Sequence, residues 1–486
     1  MSLKTLLRHQ SVQIIQQAFR NSANAKVFVV GGSVRDALLK RDVQDLDFVV
    51  TGMLLTDLEA VISKLGQVDL VGKRFAVLKL TMASGEIVDI ALPRTDASFG
   101  TGRYRDVEVR ADPNLPIAED LKRRDFTINA MAWDIQSGEL IDPHQGQSDL
   151  QQKIIRCVGQ PSARFQEDAT RILRAVRLAA ELGFTIEQQT ADALRQKLAL
   201  LSDESVTPRE VVAEELVRGL AVAPTRMLDL LDEFGIVKTL LPELDAMHGC
   251  DQPPQYHSEG DVWMHTRLAL IALTSELFMK TFKTGPSPQL FIATLLHDVG
   301  KPPTQKTPKR DGTDRIRFDG HTAAGAAIAR DISKRLKLAS TGKVDPEQLV
   351  WLIEHHLDIL NLSDMKSSTL ERIYLAPAER GTLLQQLCWV DSRASLDPED
   401  VKRGEQFHVS RRFPKLQERL AELRARGFKN NRPAPLLNGR DIMKLLNIKS
   451  GPAIGQIIDE LRNAQLEGRI STRDKALKFV RSRHAA

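Results

Sequence analysis

The sequence predicts an α+β protein, with a small α/β domain at the N-terminus and helical domains after it. Two patterns carry that expectation. Between Lys26 and Val50 an apolar, β-branched run, a glycine pair, a helical stretch and a second apolar run follow one another within 25 residues. From about residue 165 onward, apolar positions recur at the helical period almost without interruption. The composition supports a folded chain: 486 residues, 42% hydrophobic and 27% charged, are enough for about three domains, each with its own core.

The elements follow in order. The first nineteen residues, MSLKTLLRHQSVQIIQQAF, interrupt their apolar positions with Lys4, Arg8, His9 and glutamines, so they read as an amphipathic helix and not as a signal peptide. Strands are expected at Val27 to Val30, Leu46 to Val50, Ala76 to Leu80 and Ile87 to Ala91, with a helix from Ser33 to Leu39. After Pro143, the segments DATRILRAVRLAAEL, TADALRQKLALL and PREVVAEELVRGLA each read as an amphipathic helix. Breakers fall at Asp251 to Pro254, Lys301 to Gly320 and Asn430 to Pro435.

Composition excludes several classes. Three cysteines, Cys157, Cys250 and Cys388, are too few and too far apart for a disulfide framework or a zinc knuckle, and they point to a reducing, cytoplasmic setting. No apolar run approaches the roughly 18 residues of a membrane span, so no membrane partner is expected.

Gly31-Gly32 lies between a strand and a helix, where the backbone can approach an anionic ligand closely, and Arg35 adds positive charge one turn later. Asp45 and Asp47 are two apart at the start of a strand, so both carboxylates share one face. Such a pair repels itself unless a cation intervenes, which suits Mg²⁺ and its oxygen ligands. Asp89, in the strand IVDIA, is a candidate third carboxylate. These parts suit metal-assisted phosphoryl transfer.

The ordered set GGSVRDALL, DLD, LKRRDFTINAMAWD and EDATRILRAVRLAAELGF resembles the nucleotidyltransferase superfamily. Within it, the likeness is to the class II CCA-adding tRNA nucleotidyltransferases and the related poly(A) polymerases. The resemblance implies a catalytic head at 1–145, a helical neck at 146–220, a helical body at 221–428 and a tail at 429–486. It makes Asp45 and Asp47 the Mg²⁺ ligands, with Asp89 as third carboxylate. It gives nucleotide-binding roles to Gly31, Gly32, Arg35, Arg94, Arg123, Arg124, Asp125, Asn129 and Arg174, and assigns base selection to Asp168 and Arg171 with Glu167 in support. Asp168 and Arg171, three apart, are expected on one helix face, where a fixed acceptor and donor can read a Watson–Crick edge. Arg123 to Asn129 are expected at a helix start, and the stretch from Ala91 to Val109 as a loop.

Six of the 11 histidines fall between 257 and 356. The order His265, His297-Asp298, His321, His355-His356, Asp391 resembles the HD superfamily of metal-dependent phosphohydrolases. That resemblance implies a divalent-metal site of unspecified identity built from His265, His297, Asp298 and Asp391, with His321 and one or both of His355 and His356 as further ligands. His248 and His257 read as packed residues.

Function follows from these motifs. The leading expectation is addition of CMP and AMP from CTP and ATP to a tRNA 3′ end. Addition of CC alone, of A alone, or of poly(A) would use the same motifs. A different class makes the HD domain the main enzyme, acting on cyclic or terminal phosphates. Charge placement supports an RNA partner: residues 431–486 hold 11 Lys and Arg against 5 Asp and Glu, whereas the preceding residues hold 57 against 58. This basic tail, broken at Ser450-Gly451-Pro452, reads as a helix–turn–helix-like hairpin suited to backbone phosphates.

Overall fold

β-Branched residues dominate the strand Lys26–Val30 (β1), and its last four residues are buried. Around it, in a computed structural model, runs a mixed sheet with β2 (Asp47–Thr51), β3 (Gly66–Val71), β4 (Val77–Met82), β5 (Ile87–Ala91), β8 (Ala132–Asp134) and β9 (Leu140–Ile141). The order is β3-β4-β5-β2-β1-β8-β9. A separate antiparallel hairpin joins β6 (Arg94–Ser98) to β7 (Val107–Ala111). The structure describes residues 3–484 except 23, 44, 72–76, 102, 105, 376–377, 409–411, 426–434 and 467.

Every neighbouring pair in the seven-stranded sheet is antiparallel except β2 and β5. That parallel pair sets Asp47 opposite Asp89. β4 alternates half-buried and buried residues, as a strand with one face on the core should, while edge strand β3 leaves Gln67 and Asp69 to solvent among its mostly exposed residues.

Contacts divide the chain into two units, Met1–Leu241 and Pro242–Ala486. The expected neck boundary at residue 220 is therefore not where contacts thin out. The helix Pro224–Glu233 packs on Thr170–Leu182, and Arg226 donates to the carbonyls of Ala179 (3.3 Å) and Phe184 (2.7 Å). Thr170–Leu182 is buried on most of its circumference and stops at Gly183, whose φ of 71° is the usual helix exit. Its Arg177 is buried and paired with Glu215 (2.5 Å) and Glu181 (2.8 Å).

In the second unit, Pro288–Leu296 (PQLFIATLL) is buried at every residue after the proline and forms the centre of a helical bundle. Val262–Leu273, His321–Arg335, Pro346–His355 and Ala378–Ala394 pack around it and around one another. Asp261, Ser287 and Asp345 cap three of these helices with side-chain acceptors. The tail is not a hairpin. Three helices, Gly439–Leu446, Pro452–Leu466 and Arg473–His484, share a small core that includes Ile442, Ile457, Leu461 and Val480. The expected start of the tail at residue 429, the breaker around 430–434 and Ala76 lie outside the described residues.

Candidate active site and metal centre

In the first unit the chain leaves β1 through Gly31, at φ 73° and ψ −134°, a conformation that excludes side chains. The helix Gly32–Leu38 follows. Ser33 Oγ donates to the Asp45 carbonyl (2.6 Å), which holds the approach to β2. Asp45 and Asp47 are both exposed while Leu46 between them is buried, so the two carboxylates share a face as expected. Lys79 lies 3.9 Å from Asp89. Although Asp47 as a whole is exposed, its carboxyl is hemmed in by protein and so pushed up; the Arg124 charge opposes that, and Asp89 and Asp45 add to it by repulsion. The repulsion that Asp47 meets from Asp89 and Asp45, and the all-oxygen donors of the three, fit a divalent cation. None of the three belongs to a group of three or more ligand atoms within 4.8 Å of one another among the described residues.

The RRD segment closes a helix and does not start one. Ile117–Lys122 ends at Arg123, which places cations at the negative helix end. Arg123 and Arg124 both bond Asp120. Asp125 accepts from the Phe126 N–H (2.8 Å), Asn129 Nδ2 (3.2 Å) and Arg174 (2.6 Å). Burial alone would raise the Asp125 carboxyl, yet Arg174, Arg171 and these hydrogen bonds hold it down to about 2. Arg35 donates to Asn129 Oδ1 (2.8 Å) and grips Asp36 with two nitrogens. Arg94 begins β6, so the expected loop is largely a hairpin.

Asp168 and Arg171 do not share a helix face. One helix ends at Glu167, the next begins at Thr170, and Asp168 between them is extended. The reason is local: Asp168 Oδ1 accepts from the Thr170 N–H (2.9 Å) and hydroxyl (2.6 Å), a side-chain cap that breaks the helix. Arg171 instead bonds Glu167 (2.9 Å) and the Arg123 carbonyl (3.2 Å). The segment around Arg171 and the RRD segment are thus directly joined.

In the second unit, five segments converge. His265 Nε2 lies 3.1 Å from Asp391 and 3.3 Å from His297 Nε2. Asp298 Oδ1 lies 3.6 Å from His321 Nε2 and 3.7 Å from His356 Nε2. Each of these four histidines anchors Nδ1 on an oxygen: Glu259 for His265, and the carbonyls of Thr294, Phe318 and Ile353 for His297, His321 and His356. This leaves every Nε2 turned inward. Burial pushes His321 down to about 4, so its imidazole is neutral near pH 7. His321 Nε2 and His356 Nε2 are buried without hydrogen-bond partners. Two candidate ligand sets, His265–His297–Asp391 and Asp298–His321–His356, lie side by side; Asp298 and Asp391 outweigh burial and push His297 up to about 10, so a divalent ion there would displace a proton, and imidazoles mixed with carboxylates fit divalent transition metals. Gly300 permits this convergence, since a Cβ there would stand 2.1 Å from the His321 carbonyl. His355 is outside the cluster, bonded to Asp358 (2.7 Å) and packed on Trp351.

Residues 27–156 match the poly A polymerase head domain, 183–247 a probable RNA and SrmB binding site of polymerase A, and 268–394 the HD domain. The chain is 34% identical over 452 residues to the multifunctional CCA protein of Xanthomonas euvesicatoria pv. vesicatoria (strain 85-10), covering 91% of this chain and 98% of that protein. The chain belongs to the multifunctional CCA protein family. The Halorhodospira halophila member is 40% identical over 314 residues, 63% of this chain and 68% of that one. The same fold occurs in the Bacillus stearothermophilus CCA-adding enzyme in complex with CTP (TM-score 0.63, 22% identity, 98% and 97% coverage). It also occurs in the Thermotoga maritima CCA-adding enzyme complexed with tRNA (TM-score 0.58, 21% identity, 99% and 98% coverage).

Sequence reasoning missed three residues around the family's sites. Glu259, buried, bonds both His265 (2.8 Å) and His257 (2.7 Å) and accepts from the Leu396 N–H. Lys301, buried, pairs with Asp298 (2.6 Å). Asp120 holds both arginines of the RRD segment. Lys301 and Asp120 were within reach, since each stands one helical turn from a singled-out residue; nothing in sequence marked Glu259.

Proposed function

We infer that the chain is a template-independent tRNA nucleotidyltransferase that adds CMP and AMP from CTP and ATP to tRNA 3′ ends, completing CCA. The observation that carries this is the continuous polar chain in the first unit. Arg124, whose charge acts on Asp47, and Arg123 both bond Asp120, and the Arg123 carbonyl accepts from Arg171, which also bonds Glu167. The arginine cluster beside the Asp47 carboxylate is therefore bonded to Arg171, one member of the pair proposed to read the base. Membership in the family and the fold shared with CTP-bound and tRNA-bound CCA-adding enzymes support the reading.

Asp45 and Asp47, with Asp89 alongside, would hold Mg²⁺, which supplies activation of the terminal hydroxyl and charge for the departing pyrophosphate. Gly31 leaves room for the triphosphate, and Arg123 and Arg124 offer it charge-assisted hydrogen bonds. Asn129 and Asp125, locked by Arg35 and Arg174, face the ribose. Asp168 and Arg171, with Glu167, select the base. No helix among the described residues is long and apolar enough to cross a membrane, and buried free thiols suit a cytoplasmic enzyme.

Transcripts ending before CCA, after C and after CC, incubated with CTP and ATP, should all be extended to CCA. A D45A/D47A variant should keep its circular dichroism spectrum and incorporate nothing. Extension that stops at CC, or continues as poly(A), would replace this reading.

The inward, unbonded Nε2 atoms of His321 and His356, facing Asp298, favour a second activity, a metal-dependent phosphohydrolase. Its residues His265, His297, Asp298, Asp391, His321 and His356 would hold divalent ions that activate water. The D45A/D47A variant should still open cyclic phosphates to monoesters or release phosphate from terminal monoesters, and His297→Ala should stop it.

A further inference from the structure

Asp120 is completely buried at the end of the helix Ile117–Lys122. A buried carboxylate must be fully paired, and this one serves donors from two elements. Its Oδ1 accepts from Arg123 Nε (2.9 Å) and Nη2 (2.8 Å) and from the backbone N–H of Arg94 at the start of β6 (3.1 Å). Its Oδ2 accepts from Arg124 Nη2 (3.4 Å). Asp96, on the same β6, lies 3.2 Å from Arg94 and 3.6 Å from Arg123. Three guanidinium groups are therefore packed around two carboxylates.

The remaining donors of Arg124 point to the glycine turn. Its Nη1 stands 2.8 Å from where a Gly31 side chain would begin, and its Nε is buried without a partner. Adjacent guanidinium groups repel, and without a shared carboxylate Arg123 and Arg124 would splay apart.

We propose that Asp120 is a positioning residue for the incoming nucleotide, holding Arg123 and Arg124 so that their unshared N–H groups meet the triphosphate. The proposal rests on the assignment of these two arginines to the nucleotide. Because the triphosphate is common to both substrates, Asp120 acts on ATP and CTP alike and leaves base choice to other residues.

Steady-state kinetics of Asp120→Asn test this, with CTP on transcripts lacking CCA and ATP on transcripts ending in CC. KM for both nucleotides should rise by the same factor, roughly tenfold, as for one lost charge-assisted hydrogen bond. KM for tRNA should stay unchanged and kcat should fall by less than about threefold. In an R123A/R124A background, adding D120N should change neither nucleotide KM further, a coupling that a merely structural role would not produce. Should D120N fail to fold, D96N, which loosens Arg123 at a less buried position, should raise both nucleotide KM values by a smaller common factor. Unchanged nucleotide KM in D120N, a rise for one nucleotide alone, or losses that add fully to those of R123A/R124A would overturn the proposal. Unchanged nucleotide KM in R123A/R124A itself would instead remove the assignment of the arginines, and the proposal with it.

Discussion

Replacing Gly31 with Ala separates backbone geometry from chemistry in the first unit. At φ 73° and ψ −134° an alanine is strained by about 1–3 kcal/mol. Its Cβ would also stand 2.8 Å from Arg124 Nη1, too close to persist. The guanidinium is the flexible end of a side chain, so it yields, and the clash adds little to the folding cost. For a domain of about 150–250 residues, each kcal/mol lowers Tm by roughly 2–4 °C, so G31A should melt roughly 3–10 °C below the parent in calorimetry. The displaced arginine should also weaken ATP and CTP binding. Gly32 provides the contrast, since no positive φ is required there and its nearest neighbour, Arg35 Nη2, is 3.5 Å away. G32A, at a helical position, should melt at or slightly above the parent temperature. A G31A transition at the parent temperature, or an equal drop in G32A, would refute the reasoning.

Three further outcomes are expected. Asp125, held down to about 2, favours the folded state as a carboxylate; this contribution, about 2–3 kcal/mol, is complete above about pH 5, fades as pH falls through 4, and is gone below 2. Urea unfolding between pH 2.5 and 6 should therefore show a shallower acid decline for D125N, and equal slopes would contradict it. Of the adjacent pair His355 and His356, only His356→Ala should lower Mn²⁺ binding to the second unit in titration calorimetry, because His355 bonds Asp358 outside the cluster; equal losses would reverse the ligand choice. Lys475 and Lys478 are exposed on the last helix, and reversing both charges should raise KM for tRNA and reduce the slope of log KM against log salt by about 1–2. Invariant salt dependence would place the tRNA contact elsewhere.

What was legible in sequence was what lies close together along the chain. β1, the glycine pair, Asp45 and Asp47 fall within about one βαβ length, so strand period alone predicts that both carboxylates share a face, and the structure keeps them there. The converging histidines and aspartates of the second unit were also legible as a set, because five segments each carry one at a helix end or face. Strands β3, β6, β7, β8 and β9 went unread, since they are short, polar or at the edges and show little period-2 signal.

Tertiary structure decided the rest. His355 and His356 are sequence neighbours, and their different fates depend on which side of a helix end meets Asp298. Asp168 is removed from the helical register by its own hydrogen bonds to Thr170, which compete with the helix at a cost that periodicity does not register. Glu259 and Asp120 gain their roles only when burial forces their carboxylates to find partners on other segments. Sequence by itself determined the family, the α+β division and the identity of the ligand-bearing segments, because these depend on local spacing. Which side chains actually meet depended on the packing of distant helices and strands, because burial obliges charged groups to pair with whatever the fold brings within reach.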